Sequence, residues 1–316
     1  MQDVPETQFA SLGEDRIAYQ VFGEGDIDVV QVSATGDPID LRWDWPPYAS
    51  FLRRLGSHAR VVMFDPRGVG ASDTPFGEQL PNWERWADDA RAVLDAVGSE
   101  RAAILGQADG GPTAILFASS HPDRTRGLIL ATTSARYTPA PDYPIGISAE
   151  AGRLAREGWG TRAMIEAFGA GDPAFVRWAA RSFRLALRPR EARTVMRWEV
   201  SLDVRAALAS VRVPTLVLHR EGYTIIQQEH GRYIADHIAG ARFVALPGSD
   251  ASLYNEPAAE ACRHIEEFLA ELHGPTETDR ALAAILFTDF VDSTRQWCRA
   301  INSKRRFAMW RRKLLT

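Results

Sequence analysis

Residues 105–114 read LGQADGGPTA, with Gly106 and Gly110 two places on either side of Ala108. Small residues at that spacing allow a strand to turn sharply into a helix with the central side chain held at the tip. A serine or cysteine at such a tip attacks a carbonyl carbon; alanine has nothing to attack with. The carboxylate of the next residue, Asp109, is the nearest reactive group. Centring the turn on Asp109 instead would put Gln107 where a small residue is needed, so the spacing selects Ala108. A second stretch, ALAAILFTDFVDST (281–294), ends an apolar run in Asp289 and continues into Asp292-Ser293-Thr294. A carboxylate at a strand end suits a hard cation such as Mg²⁺, and a helix opening at Ser293 and Thr294 suits phosphate. The ordinary alternative is a buried strand followed by an Asp/Ser helix cap.

The elements that must position these groups are legible as short apolar runs at 17–23, 28–33, 59–65, 101–106, 126–132, 214–219 and 241–246. Most lack strict alternation, which fits strands covered by helices on both faces. Helical patterns at 83–97, 111–121, 229–238 and 256–272 alternate with them and predict a mostly parallel α/β sheet. Residues 134–210, rich in Arg, Ala and Trp, break the rhythm and read as an inserted helical cap. The stretch 274–281, beginning Gly274-Pro275, reads as a linker.

Composition sets the outer limits. The 316 residues carry 45% hydrophobic and 25% charged side chains and a net charge of −4, which fits a packed core and gives no reason to expect nucleic acid. Both lysines, Lys304 and Lys313, lie in the basic tail after Ala281, where eight Lys/Arg face two Asp. That tail has Phe307, Trp310 and Leu314 at helical spacing, the pattern of a basic surface helix, although a membrane-surface role is not the favoured reading. The polar start MQDVPETQFA has no secretory pattern, and Cys262 and Cys298 suggest neither a disulfide framework nor zinc. A reduced cytoplasmic setting is expected.

The turn around Gly106–Gly111, DPRGVGASD (65–73) and VRVPTLVLHREG (211–222) together resemble the α/β-hydrolase family over about 1–273. The resemblance implies a mostly parallel sheet with helices on both faces, a helical cap at about 134–210, and a Ser–His–acid triad. All three triad positions hold other residues: Ala108 for the nucleophile, Tyr223 after Gly222 for the acid, and Ala251 after Asp250 for the histidine. Three vacancies do not look like a single inactivating mutation. None of the seven histidines, at 58, 121, 219, 230, 237, 264 and 273, falls at the base position. The loop SATGDP (33–38) lacks the His-Gly step often found at an oxyanion hole, leaving Ala34, Thr35 and Asp109 as candidate backbone donors.

ALAAILFTDFVDST resembles the opening of class III adenylate/guanylate cyclase domains, so 282–316 is identified as the incomplete start of one. By that resemblance Asp289 is half of a metal site, Ser293 and Thr294 belong to a phosphate loop, and dimerisation would run through this part. Mg²⁺ or Mn²⁺ would be needed only in a complete cyclase domain, and the hydrolase-like domain needs no cofactor. The whole resembles a hydrolase–cyclase fusion. The expectation is therefore a catalytically degenerate domain that binds a small apolar or ester-like ligand and regulates cyclic nucleotide synthesis. Two alternatives stay open. One is an esterase- or lipase-like hydrolase working by a non-standard route through Glu221, His219 or Asp109. The other is part of a functional adenylate cyclase whose remainder lies outside this chain.

Overall fold

A computed structural model describes residues 4–32, 35–74, 82–255 and 257–273. The described residues up to Leu272 form one compact unit. Eight strands make one sheet: β1 (Gln8–Leu12), β2 (Asp15–Phe22), β3 (Asp28–Val32), β4 (Arg60–Phe64), β5 (Ala102–Gln107), β6 (Thr125–Ala131), β7 (Thr215–Arg220) and β8 (Arg242–Leu246). Their order is β1-β2-β4-β3-β5-β6-β7-β8. β1 and β2 pair antiparallel and β2 meets β4 antiparallel, whereas every pairing from β4 to β8 is parallel. All seven strands expected from the apolar runs are present. β1 is the addition, with one buried residue in five and a place at the sheet edge.

The described helices are α1 (Ile39–Arg42), α2 (Pro46–Gly56), α3 (Trp83–Ala96), α4 (Gly110–Ser120), α5 (Ala149–Gly158), α6 (Arg162–Ala167), α7 (Pro173–Ala186), α8 (Pro189–Ser201), α9 (Arg205–Leu208), α10 (Gln228–His237) and α11 (Ala259–His273). None is long and apolar enough to cross a membrane. Alternate strand residues feed two cores. Val30, Val62, Ile104, Leu128 and Val217 pack with α3, α4 and α10, while Val29, Val61, Ala103, Ile129 and Leu216 pack with α2 and α11. With both faces covered, no strand between β4 and β7 needs a polar side, which is why these runs read as continuously apolar. The helices α5–α8 are inserted between β6 and β7. Ser148, Thr161 and Asp172 start three of them by accepting backbone N–H bonds at the first turn.

Buried polar clamps hold the loops at the C-terminal ends of the strands. Asp65, at the end of β4, accepts from the Ile39 and Ala71 N–H groups, and burial pushes its pKa up to about 6. Ser72 is structural: its Oγ accepts from Ala18 N–H and donates to the Asp65 carbonyl. Arg220, fully buried at the end of β7, donates to the carbonyls of Pro247, Ser252, Asn255 and Pro257. One side chain thus satisfies four carbonyls of the segment that follows β8.

Two substitutions test these supports. A Cβ at Gly106 would lie 2.6 Å from the Ala114 Cβ and 2.9 Å from the Gly111 Cα. Gly106→Ala should therefore lower stability by roughly 1–3 kcal/mol in urea denaturation. Arg220→Met should remove at least about 3 kcal/mol by orphaning buried carbonyls. It should also raise amide hydrogen exchange across 247–255, whereas unchanged exchange there would refute the clamp.

Candidate functional site

β5 delivers its chain into the turn as expected, and the backbone there is left-handed. Ala108 has φ of +48°, a region that a non-glycine residue enters at a cost of about 1–2 kcal/mol. The turn is pinned from three sides. Ala108 N–H donates to the Ala131 carbonyl, and its own carbonyl accepts from Gly111 N–H at 3.1 Å and Thr133 Oγ at 2.5 Å. Gly111 is required because a Cβ there would lie 2.1 Å from Thr133 Oγ. Ala108 lines a cavity of about 600 Å³.

Asp109 follows at the N-cap of α4, yet its side chain does not cap the helix. It reaches across to the loop after β3, where Oδ2 accepts from Thr35 N–H at 2.9 Å and Thr35 Oγ at 2.5 Å. Its own backbone N–H further favours the charged form. Thr35 and Asp109 were two of the expected oxyanion donors, and here the Thr35 N–H serves the Asp109 carboxylate. The third, Ala34, lies outside the described residues. Burial nevertheless dominates and raises the Asp109 pKa above the ordinary carboxylate range.

The cap supplies the opposite wall. Trp159, Phe168, Phe175, Trp178 and Phe183 contribute aromatic rings to this side of the cavity. Trp43, Trp45 and Trp198 do not line the cavity. Glu199, near the end of α8, also faces it, and burial followed by the Asp109 charge raises its pKa well above the usual value. Asp37 and Asp250 complete a set of four carboxyl groups, with Arg156 the only basic side chain on the described lining. Burial holds Asp37 at about 6, with Arg42 opposing and Asp109 adding to the rise. Gln107 is 5% exposed, and its Oε1 has no partner among the described residues.

Tyr223 and Ala251 both line this cavity with Ala108, so the three positions read as vacant from the sequence meet around one space. Tyr223 is buried, with its phenol pushed up by burial and by Asp250 and Asp109. His219 and Glu221 do not line the cavity. His219 is fully buried, its Nε2 on the Ile226 carbonyl, and burial lowers its pKa; Glu221 is exposed. Neither is placed to act as base or acid in this cavity, which corrects that part of the non-standard route. Ser119 bonds the Leu116 carbonyl within α4. Glu199 escaped the sequence reading because its helix, PREARTVMRWEVS, carries charge at many positions and nothing marks the inward one. Asp289, Ser293, Thr294 and the whole cyclase-like stretch lie outside the described residues. Among the described residues no group of three His, Cys, Asp or Glu is arranged to hold a metal.

Comparisons with known proteins agree with this architecture. Residues 47–257 match the Hydrolase_4 family, described as serine aminopeptidase, S33, whose hydrolases need no cofactor. The chain is 29% identical to 2-hydroxymuconate semialdehyde hydrolase of Pseudomonas sp. strain CF600, over 72% of this chain and 82% of that protein. It is 27% identical to 3-oxoadipate enol-lactonase 1 of Acinetobacter baylyi, over 67% and 79% respectively. A crystal structure of a hydrolase from Pseudomonas aeruginosa PA01 superposes with a TM-score of 0.65 at 27% identity, covering 86% of this chain and all of that one.

These relatives overturn the expectation of a degenerate regulatory module, a pseudoenzyme serving cyclic nucleotide synthesis. They are hydrolases and a lactonase, and none of those named is a cyclase. The physical flaw in that expectation is specific. Ala108 removes a covalent serine step, but hydrolysis by water needs only a positioned base and a polarised carbonyl. The alternative, an esterase-like hydrolase, is the reading the comparisons favour. From the matched family and the observed sheet, cap and turn, the chain belongs to the Hydrolase_4 (serine aminopeptidase, S33) family of α/β-hydrolase-fold proteins.

Proposed function

We propose that this protein hydrolyses a small, largely apolar ester or lactone, with water as the nucleophile and Asp109 as the general base. The observation that carries the reading is the Asp109 carboxylate beside the strained tip, on a cavity lined in part by aromatic rings. Hydrolysis and lactone opening are the activities named for the relatives, and an alanine tip leaves the room that a serine hydroxyl would take. A water there loses a proton to Asp109 as its oxygen attacks the carbonyl carbon. Gln107 Oε1, an acceptor without a partner among the described residues, suits the second O–H of that water.

Glu199 is the complementary group. Two carboxyls whose surroundings separate their pKa values divide naturally into base and acid. Asp109 is raised but keeps three donors that favour its ionised form. Glu199 is raised well above its usual value, so it stays protonated and delivers its proton to the leaving oxygen. The aromatic wall excludes water from the rest of the cavity and takes the apolar part of the substrate.

Turnover of short-chain nitrophenyl esters and of small lactones tests this reading. Asp109→Asn should lower kcat by about 10²–10⁴. The base must be ionised, so kcat/KM should rise with pH through the raised Asp109 value. The acid must be protonated, so the rate should fall again at higher pH as Glu199 ionises. Glu199→Gln should lower the rate and abolish that falling limb. In a single turnover in ¹⁸O-water the label should appear in the first product acid; unlabelled first product would point to covalent attack by Asp109. Absence of turnover across these substrates overturns the proposal.

A further inference from the structure

One of the candidate oxyanion donors of this turn, Thr35 N–H, is already occupied, and by a side chain of the chain itself. Thr35 N–H and Asp109 N–H come from the two loops that flank the tip, after β3 and after β5. Thr35 N–H donates to the Asp109 carboxylate at 2.9 Å and Thr35 Oγ at 2.5 Å, and the Asp109 N–H favours the charged form. An aspartate at an N-cap ordinarily accepts from the first turn of its own helix, and Asp109 makes no such bond. Its carboxylate is thus directed away from the helix and into the anion position. The partnerless Gln107 Oε1 on the same cavity marks room for a further polar group beside it.

We propose that Asp109 is a resident anion: it fills the oxyanion position in the resting protein and yields it to the substrate's carbonyl oxygen. This rests on the hydrolase reading above and adds to it how the donors are handed over. As the water oxygen forms its bond to the carbonyl carbon, the π electron pair moves onto the carbonyl oxygen and the water proton moves to Asp109. The carboxyl becomes neutral while the negative charge appears on the substrate. A neutral carboxyl holds N–H donors more weakly than a carboxylate, so the new oxyanion takes them. The site carries one negative charge before and after, and little solvent has to reorganise. When the carbon–oxygen bond to the leaving group breaks, Glu199 protonates the departing oxygen and the proton on Asp109 restores Glu199.

Removing the resident anion should leave a vacant site for an external one. The test is titration of Asp109→Ala with acetate and with formate by calorimetry, at fixed ionic strength, beside the wild type and Asp109→Asn. Asp109→Ala should bind acetate at least about tenfold more tightly than wild type, which corresponds to roughly 1.4 kcal/mol. Asp109→Asn, whose amide oxygen can still occupy the donors, should not gain this binding. If Asp109→Ala does not fold, Asp109→Gly carries the same test, since glycine is well accepted at an N-cap. Equal acetate affinity in wild type and the truncated variants overturns the proposal, as does a gain in Asp109→Asn equal to that in Asp109→Ala. The readout is independent of turnover. Acetate binding without esterase activity would remove the hydrolase reading and leave the resident anion, and turnover without acetate binding would do the reverse.

Discussion

The left-handed backbone at Ala108 constrains everything around it. An alanine at φ of +48° is held there only because its neighbours leave no other course. Gly106 and Gly111 let β5, α4 and Thr133 approach more closely than any Cβ permits. Thr133 Oγ and Gly111 N–H fix the carbonyl, and the Ala131 carbonyl fixes the amide. This corner aims Asp109 away from its own helix and toward Thr35, so the strain at one residue sets the position of a carboxylate on the next. The rest of the cavity is arranged around that carboxylate by the cap.

Electrostatics then follow from enclosure. Four carboxyls share the lining with one arginine, and desolvation is the largest influence on Asp37, Asp109 and Glu199 alike. What separates them is local: Arg42 opposes the rise at Asp37, donors on Thr35 oppose it at Asp109, and at Glu199 the Asp109 charge adds to it. A protein that kept this space only for packing would fill it with apolar side chains, since buried carboxyls without a role are costly to maintain.

Much of this was legible in the sequence because the signals were local. The apolar runs located every strand from β2 to β8, since strands covered on both faces need no alternation. The Gly106–Gly110 spacing located the corner. β1 was not visible, for its QFASL buries a single residue and lies at the edge. Glu199 and Arg220 were missed for a different reason: Glu199 is one charge among several on its helix, Arg220 ends an apolar strand beside Glu221, and only the tertiary fold shows that each turns inward. The step from Ala108, Tyr223 and Ala251 to a silent domain failed because it equated one mechanism with all hydrolysis. His219 and Glu221 drew attention by adjacency to Tyr223 along the chain, but strand geometry turns His219 into the core and leaves Glu221 in solvent.

Arg220 has a wider consequence. It grips the segment after β8 by main-chain oxygens of Pro247, Ser252, Asn255 and Pro257. Backbone oxygens are present whatever the residue, so this attachment is indifferent to the side chains it carries. The loop behaves as a mounting whose fitting can be exchanged while the mounting stays still. A replacement at 251 would therefore change one spot on the cavity lining while the segment that carries it stays anchored.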